Sequence, residues 1–272
     1  MANPALAPKR INETLEELEP GWASPGGPAG VAGATTAAGA PTAPDRTTRR
    51  MTAGGTFAKT FFLWILLVAG GAFGWSQVHV PEFGAIRFPG WILIGMLVGL
   101  GLAMVTIFKP KAAPITAPLY ALAEGVVLGA ISKLYESQWS GIVLQAILAT
   151  LGTFVACLLL YSFDIVKVTN KFRTVVITAT MGIFVMYIAS MLLSIFGVDM
   201  AFWREPSALG IGISVVICVV AALNLFLDFD MIQKLSVAGA PKQMEWYGAF
   251  GITVTIVWLY LEILRLLSYL RN

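Results

Sequence analysis

The sequence predicts an all-α, polytopic membrane protein: a bundle of seven transmembrane helices behind a disordered N-terminal tail. Hydrophobic residues fill 57% of the 272 positions and charged residues only 12%, against roughly 25% charged in soluble domains. A water-facing surface cannot be assembled from so few charges. The apolar residues are gathered in blocks of about 20, the length at which a helix rising about 1.5 Å per residue crosses roughly 30 Å of hydrocarbon. These blocks show no polar–apolar alternation, and open sheet edges do not survive in lipid, so helices are preferred over a barrel.

The seven blocks run from Phe57 to Trp75, Pro89 to Phe108, Pro118 to Tyr135, Gly141 to Ser162, Thr174 to Phe196, Ala208 to Asp228 and Tyr247 to Leu270. The third is the least apolar, because Glu124 lies inside it. Residues 1–50 differ in kind. They are rich in Ala, Gly, Pro and Thr, as in GPAGVAGATTAAGAPTAP, and offer no apolar periodicity from which a core could form. They are read as an unstructured tail, and residues 51–272 as the transmembrane domain. The first block starts too far along the chain for an ordinary secretory signal, so it is expected to remain as the first helix.

Basic residues accumulate in cytoplasmic loops, and this orients the bundle. One side holds thirteen: Lys9, Arg10, Arg46, Arg49, Arg50, Lys59, Lys109, Lys111, Lys167, Lys171, Arg173, Lys234 and Lys242. The other holds five: Arg87, Lys133, Arg204, Arg265 and Arg271. The N-terminus is therefore expected in the cytoplasm and the C-terminus outside. The net charge of +3 follows from topology. Nucleic-acid binding would call for a concentrated basic face, and no nucleic-acid partner is expected.

Cys157 and Cys218 fall inside the fourth and sixth blocks and read as small hydrophobes at helix contacts. Together with the single His79 they are too few for a thiolate or imidazole metal site. Small residues recur at steps of four in Gly95 and Gly99, and in Ala117, Ala121, Gly125 and Gly129. This spacing lets helix backbones approach closely.

Acids at membrane depth carry the functional signal, because an ionisable group in hydrocarbon must face the bundle interior or water. Glu124, Asp228, Asp230 and Glu262 stand out. With the sixth helix ending near Asp228, the topology brings Glu124, Asp228 and Asp230 to the inner half of the bundle. Asp228 follows Ser214, Cys218, Ala221 and Asn224 on one semi-polar stripe, whereas Asp230 also reads as a helix end reaching water. The last helix bears Gly251, Thr255, Trp258, Glu262 and Arg265 on one face. Glu262 and Arg265, spaced i, i+3, can pair within the helix or belong to an ion path.

The stretches ALAEGVVLGAIS, LNLFLDFDMIQK and MEWYGAFGITVTIVWLYLEILRLL, in this order across seven helices, resemble the Bax inhibitor-1 family, in particular its bacterial seven-helix branch. The similarity runs from about residue 57 to the C-terminus. The resemblance implies a last helix wrapped by six others, a bacterial plasma-membrane location, and pH-dependent passage of calcium controlled by one acid in the sixth helix and one in the seventh. The sixth-helix acid maps onto Asp228 and a seventh-helix arginine onto Arg265. The seventh-helix acid departs from the pattern. Alignment anchored on Arg265 puts Thr255 at that position, whereas the local match WLYLE points to Glu262, and Asp230 or Glu124 could instead supply the second carboxylate.

Two adjacent carboxylates cannot both ionise freely, and clustered carboxylates at Asp228, Asp230 and Glu124 offer a hard cation such as calcium a weak oxygen site suited to passage. The sequence is thus consistent with a cation leak channel. The second reading, which the resemblance also permits, is a non-conducting regulator of stress survival or membrane-protein quality control. An enzyme is not expected: no helix-borne Ser has a His partner, and no Gly-x-Gly-Asp motif is present. No cofactor is expected beyond calcium as the transported ion, and the expected partners are the lipid bilayer and other membrane proteins. The basic bias predicts that a reporter fused after Asn272 is active outside the cytoplasm and one inserted at Lys167–Arg173 inside it. Equal behaviour of the two fusions would refute the topology.

Overall fold

The computed structural model describes residues 50–79, 90–197 and 206–271, all within one compact unit, Pro44–Asn272. The tail to residue 49, with Arg87, Arg204 and Asn272, lies outside the described residues. Seven helices are long and apolar enough to cross a membrane. They are α1 (Ala53–Gln77), α2 (Gly90–Phe108), α3 (Ala113–Gln138), α4 (Ile142–Ser162), α5 (Asn170–Ile195), α6 (Ala208–Val237) and α7 (Met244–Leu270). No strand is present among the described residues.

Local chemistry sets several boundaries. Thr52, Thr169 and Ser207 each accept a backbone hydrogen bond three residues on, opening α1, α5 and α6, the standard way to satisfy the first free N–H groups of a helix. Between α3 and α4 the chain reverses at Gly141, whose φ of 79° suits glycine. The Glu136 carboxylate accepts from the N–H groups of Gly141 (2.5 Å) and Val143 (3.1 Å) across this turn. Arg271 ties the far end of α7 to the same turn through the Ser140 carbonyl (2.9 Å) and Gln145 (2.8 Å).

Two boundaries correct the sequence reading. The third helix starts at Ala113 rather than Pro118, with Pro118 inside it. A short 3-10 turn, Pro110–Ala112, leads into it; Pro114 sits in the first turn, where a missing N–H forfeits nothing, whereas Pro118 leaves the Pro114 carbonyl without its i+4 donor. The sixth helix runs on past Asp228 to Val237, so Asp228 and Asp230 do not stand at its end. The charges in LDFDMIQK mimic a terminus, but Asp230 is paired, one turn on, with Lys234 of the same helix.

The core is organised around α7, which packs against α1, α3, α4 and α6. In the apolar stretch of α7, 61% of residues are buried, against 11% in α5 and 17% in α2; the last two helices are therefore peripheral. The outer surface is apolar, with Phe61, Leu97, Leu148, Phe184 and Val216 all exposed, as lipid contact requires. Met51 is buried beside the α6–α7 turn, its N–H donating to the Ala240 carbonyl (2.7 Å) and its carbonyl accepting from Ser236 (3.4 Å).

The tightest contact joins α1 to α3. A β-carbon on Gly74 or Gly129 would overlap the carbonyl oxygen of Val126 or Gly71, so the backbones touch because these positions lack side chains. Gly70 faces the Leu122 carbonyl and Gly125 that of Leu67 in the same crossing. Gly129→Val should therefore part the helices, at a penalty of at least the about 1–3 kcal/mol typical of overpacking, seen as a lower unfolding midpoint in detergent. Gly152→Ala, where a β-carbon meets nothing, should leave the midpoint no lower than wild type, because alanine is the better helix former.

Candidate functional site

Asp228 lies at the contact between α6 and α7. Thr255, itself buried, donates its hydroxyl to Asp228 Oδ2 at 2.6 Å. A β-carbon on Gly251 would stand 3.4 Å from Oδ1, so the carboxylate rests on the small-residue step of α7 formed by positions 251 and 255. One turn back on α6, Asn224 donates to Thr180 of α5 (2.8 Å) and to the Val220 carbonyl (2.8 Å). Oxygen-bearing side chains of α5, α6 and α7 thus meet in two neighbouring contacts, Asn224–Thr180 and Asp228–Thr255, with buried Ser214 farther back on α6.

The remaining acids have partners of different kinds. Asp230 accepts from Arg173 of α5 (2.5 Å) and Lys234 (2.7 Å) on the same oxygen. It is buried, so the helix-end alternative gives way to an ion-paired clasp. Glu262, also buried, is held by the Arg265 guanidinium and the Tyr187 hydroxyl. Arg265 reaches that hydroxyl at 3.3 Å and lies over the tyrosine ring. The pairing open to residues three apart on a helix is therefore made, with a third partner from α5. Glu124 is half-buried on α3 and packs beside Gly99, where a β-carbon would come 2.7 Å from Oε2.

The acids do not form one cluster. Among the described residues no three His, Cys, Asp or Glu side chains could together hold a metal ion. The proposed joint calcium site at Asp228, Asp230 and Glu124 is not assembled. The physical reason is that Asp228 and Asp230 are two residues apart, about 200° around a helix. One therefore faces α7 and the other α5. The close partner of Asp228 is Thr255, and Glu262 lies seven residues farther along α7, about 10 Å by helical rise.

Sequence reasoning missed Arg173, Thr180 and Tyr187, which all reach inward from α5. Their spacing of seven residues in an apolar helix was a signal that could have found them. It also missed Glu245, only 1% exposed, which accepts from the Thr52 N–H (3.0 Å) and hydroxyl (3.1 Å) and from Lys59. Cys157 and Cys218 are free thiols, and His79 is exposed.

Seven apolar helices, the last of them the most buried, with ionisable side chains paired inside, define a polytopic integral membrane protein. The chain belongs to the Bax inhibitor 1 like family, whose model matches residues 12–272. That match begins within the tail, well before the start near residue 57 inferred from the sequence. No curated protein matches the chain.

The Glu262–Arg265 pair yields a direct test. Arg265→Met would leave the carboxylate buried without its cation, a loss on the order of 3–5 kcal/mol for breaking such a pair. The double variant Arg265→Met with Glu262→Leu should recover most of that in detergent unfolding. Additive losses would show that the pair is not coupled.

Proposed function

We propose that the protein is a membrane cation leak pathway, with calcium as the transported ion and Asp228 as the carboxylate that controls it in response to pH. The observation that carries this reading is the Thr255–Asp228 contact at 2.6 Å, one helical turn along α6 from the Asn224–Thr180 contact with α5. Carboxylate and hydroxyl oxygens suit a hard cation, and few ligands at any one point favour passage over storage. The family membership is compatible with this role. The basic bias supports an N-terminus in the cytoplasm and a C-terminus outside, and the family resemblance supports a bacterial plasma membrane. No catalytic role is part of the proposal.

In this mechanism one acid acts, not two. Thr255 stands at the α7 position where the resemblance implies a second carboxylate, and it hydrogen-bonds the charged form of Asp228 without adding charge. Ionised Asp228 attracts the cation and protonated Asp228 does not, so flux rises with pH through a single titration. A second reading, a non-conducting regulator of stress survival or membrane-protein quality control, draws support from Asp230, Glu245 and Glu262. All three are paired with cations and so act as helix fasteners.

Calcium entry into dye-loaded liposomes, measured from acid to neutral pH at equal protein density, tests both readings. Asp228→Asn should lower flux severalfold at neutral pH and flatten its pH dependence, whereas Asp230→Asn should alter the profile less. Thr255→Asp should make the profile two-stepped, because adjacent carboxylates titrate as a coupled pair. Wild-type protein that passes no ions, or Asp228→Asn that conducts with the wild-type profile, would leave the regulator reading in place.

A further inference from the structure

At the end of the bundle where α1 begins and α6 turns into α7, a groove of about 440 Å³ opens between α1 and the start of α7. We propose that it binds the phosphate of an anionic phospholipid, with one acyl chain lying along its apolar floor.

Charge is the first argument. Three cations, Arg50, Lys59 and Lys242, line the groove beside one carboxylate, Glu245. That carboxylate is already occupied by Lys59 and by both polar groups of Thr52, so it does not neutralise the other two cations. Arg50 and Lys242 are exposed, and among the described residues neither has an ion-pair partner. The groove therefore presents two positive charges to an incoming anion.

Their placement is built into the backbone. Arg50 forms an isolated antiparallel bridge with Pro241, the residue before Lys242. The Met51 N–H bonds the Ala240 carbonyl at 2.7 Å, which pins this strap to the α6–α7 turn. The Arg50 guanidinium lies over Gly239, where a β-carbon would stand 3.6 Å from Nη1. Two cations from segments paired with each other flank one opening, an arrangement suited to a tetrahedral dianion or monoanion.

The floor decides between a lipid and a soluble phosphate. It is formed by Ala58, Phe62 and Trp246, with the Phe62 and Trp246 rings edge-on at 5.9 Å and Lys59 over the indole. From Thr52 to Phe62 is about 15 Å along α1 at helical rise, which carries the groove from the polar cap into hydrocarbon depth. Phe61 and Phe62 are 64% and 45% exposed on the outer surface, so the floor is continuous with the lipid-facing side. A soluble phosphate would use only the cap, whereas a phospholipid uses cap and floor together. Basic pockets at the membrane surface are suited to anionic headgroups for the same reason.

The test is native mass spectrometry of the purified full chain in detergent, titrated in parallel with phosphatidylglycerol, phosphatidylcholine and inorganic phosphate. Wild-type protein should retain phosphatidylglycerol over phosphatidylcholine, and inorganic phosphate should not displace it. Arg50→Gln and Lys242→Gln should each weaken retention about fivefold, and the double variant by an order of magnitude or more. Lys133→Gln, beside Trp75 near the other end of α1, should change nothing. Both groove cations are exposed and, among the described residues, without ion pairs, so unfolding midpoints without lipid should match wild type. The charge reversal Lys242→Glu supplies a second variant should either glutamine substitution misfold. Equal retention of the two lipids, full displacement by inorganic phosphate, or wild-type retention by the double variant would each overturn the assignment. None of these measurements depends on ion conduction.

Discussion

The structure depends on one constraint, that polar groups on the central helix must find partners inside the protein because lipid supplies none. Helix α7 carries Thr255, Glu262 and Arg265 through the middle of an apolar bundle, and each is met by a side chain from α5 or α6 or from α7 itself. An unmatched charge at that depth would be far more unfavourable than any packing defect. The outer helices are therefore not interchangeable, since α1 and α3 supply a small-residue surface and α5 and α6 supply polar partners at fixed places.

The two devices are divided between opposite sides. On the side of α1 and α3, contact is made by absence, with glycines stacked so that backbones touch. On the side of α5 and α6, contact is made by hydrogen bonds and ion pairs. Close packing is insensitive to protonation, whereas the ion pairs of Asp230 and Glu262 and the hydrogen bond of Asp228 lie on the polar side. The α5–α6–α7 sector is thus held by contacts that depend on charge, and the α1–α3 crossing by contacts that do not.

Much of this was legible in the sequence, and the rest was hidden for identifiable reasons. Blocks of about 20 apolar residues define spans because a bilayer has one thickness, and all seven appear. The small-residue steps in the third helix announced the close crossing, because only Gly and Ala at every fourth position permit it. The end of α6 was obscured because two aspartates near a lysine look like a solvated terminus. Their opposed directions become visible only when Arg173 of α5 meets one and Thr255 of α7 the other. Tyr187 was marked only by its spacing, and Glu245 by nothing local, because the Lys59 that holds it lies 186 residues away.

The three polar contacts of α5 carry one more consequence. Arg173, Thr180 and Tyr187 repeat every seven residues, and seven residues fall about 20° short of two full turns of a straight helix. Across two heptads the stripe drifts by about 40°, so a straight α5 could not keep facing a single neighbour. The partners change accordingly, from Asp230 and Asn224 on α6 to Glu262 on α7. A stripe with this period favours left-handed supercoiling. Helix α5 thus crosses from one neighbour to the next like a slow screw thread, and a rotation of α5 about its own axis would disengage all three contacts together.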